Sequence, residues 1–246
     1  MSLTPEELER HKRHILLKEI GGPGVQKLRA ASVSIIGAGA LGGPCALYLA
    51  AAGVGHIELW DDDRVDRSNL QRQIQFTDAD TGAEKVTTLA AHLRAIDPVL
   101  KVEAMRRRFA EGGAPAGRIL VDASDNFPTR FALNRLAHVS HRPLVSGAAS
   151  GWTGQVSVFA SGLVTDAPCY QCWVPEAPPA AGACDEVGVV GPVTGMTGSA
   201  MALEVIKLIT GAGEPLIGRL LLIDGLAART RTINLRRDPQ CPLCNA

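Results

Sequence analysis

The segment Ser32-Val33-Ser34-Ile35-Ile36-Gly37-Ala38-Gly39-Ala40-Leu41-Gly42-Gly43 constrains the fold more than any other. An apolar, β-branched strand (Ser32–Ile36) feeds a glycine-rich turn and then an Ala-rich helix over Gly42–Ala52. A second apolar strand, His56–Trp60, ends on Asp61-Asp62-Asp63. Parallel neighbours need a crossover, so this is a βαβ unit. The alternation continues with a helix over 83–96, strands near 100–105 and 119–121, a helix over 128–139 and a strand at 143–146. It predicts an α/β fold: a Rossmann-like, mostly parallel sheet with helices on both faces.

After Ala148 the pattern changes. Residues 154–159 alternate like an antiparallel strand, 174–192 read as a long exposed loop, and a helix over 194–210 stops at Gly211. Two more strands follow, at 219–224 and 229–235. At the other end, Thr4 and Glu7 make a capping box for a helix expected to run to about Leu17. Gly21-Gly22-Pro23-Gly24 breaks the chain before a short helix at 25–29, and Thr81 and Glu84 are spaced as a second capping box. With no internal repeat and no linker, residues 1–246 are expected to form one domain. Its parts are an N-terminal helical arm (1–30), the part of alternating strands and helices (31–148) and a C-terminal part of different pattern (149–246).

Composition excludes several classes. The formal net charge is zero, which gives no drive toward nucleic acid or an anionic membrane. Aromatics at 4% weigh slightly against a single-strand nucleic-acid binder, which needs stacking platforms. No apolar run reaches the roughly 20 residues of a membrane span. The charged N-terminal stretch lacks the apolar region of a signal peptide. A cytoplasmic chain with reduced cysteines is expected.

Gly37, Gly39, Ala40 and Gly42 make a turn where backbone can approach a phosphate at a helix N-terminus. Asp61 ends the next strand, where a carboxylate commonly takes ribose hydroxyls. These features say nucleotide without choosing among NAD, FAD, a methyl donor and ATP. Ser68-Asn69-Leu70-Gln71-Arg72-Gln73 and Lys85 form a polar, cationic segment suited to phosphate charge, although a solvated loop has the same composition. Asp125, after the strand at 119–121, is placed to hold magnesium, or only to cap the following helix.

Cys169/Cys172 and Cys241/Cys244 are two Cys-x-x-Cys pairs, which read as a closed tetrahedral Cys₄ zinc site of structural type; disulfides or a redox pair are the alternative. Cys45 falls on the helix behind the glycine turn and reads as core. Cys184 sits in the long loop and is either a nucleophile or persulfide carrier or incidental. Arg10 and Arg13 lie on the N-terminal helix, where a solvated face is the plain expectation.

In order, RHKRHILLKEIG, GAGALGG, WDDDRVDRSNLQRQ, GAEKV, ASDN, PLVSGAA, CYQC and CPLC resemble the MoeB/ThiF/HesA family, bacterial relatives of the ubiquitin-activating enzymes. The resemblance spans Arg10 to Cys244. It implies ATP-dependent adenylation of the C-terminal Gly-Gly carboxylate of a small ubiquitin-like sulfur carrier protein. Pyrophosphate is released, and the product serves sulfur transfer in molybdopterin or thiamine-thiazole synthesis. It further implies that Ala40 offers backbone to ATP, that Asp61 takes the ribose and Asp63 stands beside it, and that Ser68, Asn69, Leu70, Gln71 and Arg72 grip the triphosphate. Lys85 would bind phosphate, Asp125 would associate with magnesium, and Asn126 would follow it in the nucleotide site. By the same resemblance Arg13 enters the active site of the neighbouring subunit, which implies a homodimer, and the four paired cysteines hold a structural zinc. The chain stops soon after Cys244, so a separate sulfur donor is expected. Cys184 matches a covalent sulfur link in one branch of the family and a dispensable cysteine in another. The alternative reading is an NAD- or FAD-dependent oxidoreductase, which accounts for the glycine turn and Asp61 but not for Arg72, Lys85, Asp125 and the cysteine pairs together.

Overall fold

Apolar residues at consecutive strand positions require a sheet buried on both sides. A computed structural model describes residues 3–110, 113–177 and 188–244. Within them the strands are β1 (Ser32–Ile36), β2 (His56–Trp60), β3 (Lys101–Met105), β4 (Ile119–Asp122), β5 (Leu144–Ser150), β6 (Thr153–Phe159), β7 (Arg219–Asp224) and β8 (Arg229–Asn234). They form one sheet in the order β3-β2-β1-β4-β5-β6-β7-β8. The first five are parallel, and β6, β7 and β8 each pair antiparallel with the strand before.

The helices are α1 (Pro5–Arg10), α2 (Lys12–Ile15), α3 (Gly21–Ala30), α4 (Gly42–Ala52), α5 (Lys85–Ile96), α6 (Phe127–Val139), α7 (Tyr170–Trp173) and α8 (Gly191–Thr210). Strand parity sorts the core into two layers. Val33, Ile35, Leu59, Val121, Val145 and Val158 face α3, α4, α5 and α8. Ile36, Trp60, Leu120, Leu144 and Phe159 face α6 and α7. The expected doubly covered α/β sheet is therefore what forms.

Several local expectations are corrected. The Thr4–Glu7 capping box forms, but the first helix ends at Arg10 and restarts at Lys12. Between them His11 turns inward, only 2% exposed, against Gly53. Gly21-Gly22-Pro23-Gly24 is the first turn of α3 and not a break, because Val25 and Leu28 are fully buried and tertiary packing outweighs glycine's low helix propensity. Thr81 and Glu84 do not form a box; Thr77 and Asp80 cap a 3₁₀ turn there. The helix expected from Thr194 begins at Gly191. Among the described residues no helix is long and apolar enough to cross a membrane.

Candidate active site

The strand order reverses at β1: one crossover leads to β2 and β3, the next to β4 and β5. Loops leaving the carboxyl ends diverge there and open a crevice, the usual ligand position in such sheets. A cavity of about 700 Å³ occupies it.

The glycine turn is its floor. Gly37 has φ +99°, and a Cβ there would lie 2.5 Å from the Ala123 carbonyl oxygen. A Cβ on Gly42 would overlap the Gly37 carbonyl oxygen, so Gly42 tightens the turn and does not line the cavity. Gln75, 5% exposed, secures the turn from beneath, donating from Nε2 to the Ala38 and Gly39 carbonyls at 3.0 Å each.

Asp61 stands at the cavity edge, accepting from Ala38 N–H and Asp63 N–H at 2.8 Å each. Burial raises its pKa, while the Lys85 ammonium and those two N–H groups pull it back. Lys85 is 6% exposed and reaches Asp63 at 2.8 Å. The segment 66–73 opens with a 3₁₀ turn in which Asp66 and Asn69 cap one another, and Arg72 Nη1 donates to the Ser68 carbonyl at 3.1 Å.

Of the residues singled out in the sequence, Gly37, Gly39, Ala40, Asp61 and Asp63 line this cavity. So do Ser68, Asn69, Gln71, Arg72, Lys85, Asp125 and Asn126. Leu70 packs against the first core layer instead. Arg13 is exposed on α2 and does not line the cavity. Cys184 lies outside the described residues.

The two readings of Asp125 separate cleanly. Asn126, not Asp125, is the N-cap of α6, accepting from Thr129 N–H at 3.0 Å. Asp125 is exposed at the cavity mouth. The turn that presents it rests on a network the sequence reading missed. Asp122 accepts from the Ser124 hydroxyl at 2.6 Å and the Ser146 hydroxyl at 2.8 Å and faces Arg130 at 3.4 Å. Arg130 Nη2 also donates to the carbonyls of Ser124 at 2.6 Å and Gly147 at 3.1 Å. Its only sequence signal is a charge at an inward helical position.

A second groove of about 600 Å³ shares Asp125, Arg130, Ala148, Ala149 and Ser150 with the first and continues over β6, β7 and β8 past Gln155, Leu222 and Arg231. Both grooves therefore meet at Asp125 and Arg130.

Away from the crevice, Cys169, Cys172, Cys241 and Cys244 converge with all sulfurs within 4.8 Å. Sγ–Sγ distances are 3.5 Å for Cys169–Cys241, 3.6 Å for Cys172–Cys244 and 3.9 Å for Cys169–Cys172. Tetrahedral zinc with Zn–S near 2.3 Å sets sulfurs about 3.8 Å apart, so the donor set fits. These cysteines are unbridged. Burial pushes the Cys172 thiol up to about 11 and the Cys169 thiol further, so these two need a nearby cation to ionise, while Cys241, against its burial, is held below the usual thiol value by the Cys244 and Leu243 N–H groups.

Comparison with known proteins agrees in fold and family. Residues 11–243 match the family model described as ThiF family. The chain is 42% identical to the sulfur carrier protein adenylyltransferase of Thermus thermophilus over 99% of its own length and 93% of that protein's. It is 41% identical to the SAMP-activating enzyme E1 of Haloferax volcanii, covering 99% and 91%. The crystal structure of E. coli MccB superposes with a TM-score of 0.85 at 21% identity, over 99% of this chain and 74% of that one. The oxidoreductase alternative finds no support among these relatives.

Proposed function

The chain belongs to the ThiF family, and from that premise we propose that it is an adenylyltransferase that activates the C-terminal Gly-Gly carboxylate of a ubiquitin-like sulfur carrier protein with ATP. The observation that carries the reading is the meeting of two grooves at Asp125 and Arg130. One has a glycine turn, a ribose-type carboxylate and the cations Arg72 and Lys85. The other is lined in part by the small residues Ala148, Ala149 and Gly154, which let a backbone without side chains approach closely and suit a glycine tail.

In this reading the carboxylate, already ionised near neutral pH, needs no general base. One of its oxygens attacks the α-phosphorus in line, the bond to the β-phosphate oxygen breaks, and pyrophosphate leaves with that electron pair. The glycine turn and the N-terminus of α4 hold the triphosphate, Asp61 orients the ribose, and Arg72 and Lys85 meet charge on the phosphates. Asp125 would hold magnesium, a hard cation suited to one carboxylate plus phosphate oxygens, and that ion would neutralise phosphate charge. Arg13, exposed on α2, would serve the site of a second copy in a homodimer. The adenylate would pass to a separate sulfur donor in molybdopterin or thiamine-thiazole synthesis, in the cytoplasm. The paired cysteines would carry a structural zinc.

ATP–pyrophosphate exchange tests the reading. Exchange is expected only with magnesium and a carrier ending in Gly-Gly, and Asp125→Ala should abolish it in a folded protein. No exchange with any Gly-Gly carrier of the same organism, or normal exchange in Asp125→Ala, would count against it.

A further inference from the structure

β8 is the outermost strand on its side of the sheet, and every residue in it is exposed. Side chains alternate between faces along a strand, so Arg229 and Arg231 share one face and Thr230, Thr232 and Asn234 take the other. The arginine face belongs to the second groove, which both arginines line at the end away from Asp125.

Strand pairing gives that groove a straight course. Ala148, Gln155, Leu222 and Arg231 stand opposite one another on β5, β6, β7 and β8. Neighbouring strands lie about 4.8 Å apart, so the row spans about 14 Å, and about four residues of extended chain cross it. A carrier tail that ends at Asp125 therefore leaves the groove over β8, and the folded body of the carrier begins there.

The two arginines are unspent. Neither takes part in a hydrogen bond or ion pair among the described residues, although Asp224 stands directly opposite Arg229. Asp224 instead accepts from the Leu226 and Ala227 N–H groups at 3.1 and 3.0 Å, closing the turn between β7 and β8. Arg130, the other cation of the groove, is held by Asp122. The far end thus carries an excess of positive charge on a chain whose formal net charge is zero. Charged side chains also guard an exposed edge strand against pairing with another chain. A charge on either face meets that need, whereas both charges of β8 stand on the groove face.

We infer that Arg229 and Arg231 form a docking edge for an acidic patch on the folded body of the carrier, beside the point where its Gly-Gly tail enters the groove. They select among carriers by charge and take no part in the chemistry at the phosphates. The inference rests on the reading of the second groove as the path of the tail.

ATP–pyrophosphate exchange with the intact protein tests it, driven in parallel by the organism's Gly-Gly carrier and by a synthetic peptide of the carrier's C-terminal tail. Combining Arg229→Glu with Arg231→Glu should raise KM for the carrier about tenfold at low salt, the scale of two exposed ion pairs reversed. KM for ATP, KM for the peptide and kcat should not move. On the wild type, added salt should raise KM for the carrier and leave KM for the peptide nearly unchanged, and the variant should lose that contrast. Among single acid-to-lysine changes on the carrier surface, at least one should restore its affinity for the variant. An unchanged carrier KM in the variant, an equal rise for the peptide or for ATP, a salt-independent wild type or no restoring lysine overturns the inference. Should the peptide alone drive no exchange, the salt series and the lysine changes decide. A wild type that exchanges with no Gly-Gly carrier would instead bring down the adenylation reading itself.

Discussion

Arg130 lies over Asp122 in the protein interior, Nη1 to Oδ2 at 3.4 Å, and the pair locks the end of β4 to β5 under the turn that carries Asp125. Both side chains are nearly inaccessible, at 9% and 1% exposure. Removing one partner of a buried pair strands the other. Arg130→Met should therefore lower unfolding free energy by about 3 kcal/mol in urea titrations and slow pyrophosphate exchange. Arg130→Lys should recover part of the stability but not the planar fork that spans Ser124 and Gly147.

Gln75 acts on the glycine turn through its carboxamide alone, since the residue lies beneath the turn and not in the cavity. Gln75→Leu keeps volume and removes two bonds to the Ala38 and Gly39 carbonyls. We expect a stability loss of about 1 kcal/mol and a KM for ATP raised roughly tenfold with kcat little changed. A steady-state exchange assay separates the two constants; an unchanged KM would deny Gln75 any part in shaping the turn.

His11 sets a pH dependence of stability. Burial, then the neighbouring Arg29 guanidinium and the nearby His14, lower its pKa from 6.5, against the opposing pull of Asp97. With the folded pKa below the unfolded one, the unfolded chain takes up the proton first. Stability is complete above pH 6.5 and declines as pH falls from there toward the depressed folded value. Urea midpoints measured at descending pH should fall more steeply for the wild type than for His11→Phe, which fills the space against Gly53 without a titrating group.

The cysteine cluster should yield one zinc per chain on acid release. Chelation should lower Tm and expose thiols to Ellman's reagent. Cys45 should stay unreactive in the folded protein throughout, because burial pushes its thiol up to about 12. Reaction of Cys45 before unfolding would contradict its core position.

Composite sites across a dimer can be tested by complementation. Arg13→Ala and Asp125→Ala homodimers should both be inactive. A heterodimer of the two, isolated with two affinity tags, should regain about half the wild-type exchange rate, since two-fold symmetry leaves one site intact. No recovery would place Arg13 outside any shared site.

The parallel half of the sheet was legible because glycine and acidic punctuation brackets it: β1, α4 and β2 lie where the Gly37–Gly42 turn and Asp61 put them. What failed depended on distant partners. His11 breaks the N-terminal helix because Gly53, far along the chain, leaves room for its ring. Arg130 occupies an ordinary helical position, and only β4 and β5 supply its partners. A cap at Asp125 was the alternative to a magnesium role, and the observed cap is its neighbour Asn126, a single-residue difference that helix propensity does not resolve. The polar, cationic segment was read as phosphate chemistry from its composition, yet Leu70 inside it is half-buried against the core.

The strand order has a consequence for how this chain acquires its shape during synthesis. Once β1, β2 and β3 exist, every later strand joins the same growing edge in the order it leaves the ribosome: β4, β5, β6, β7, then β8. No strand must be inserted between two already paired, a topology that permits assembly in the order of synthesis. Cys169 and Cys172 lie 72 residues before Cys241 and Cys244, with β7 and β8 between the pairs, so the thiol cluster can be completed only once the whole sheet has been synthesised.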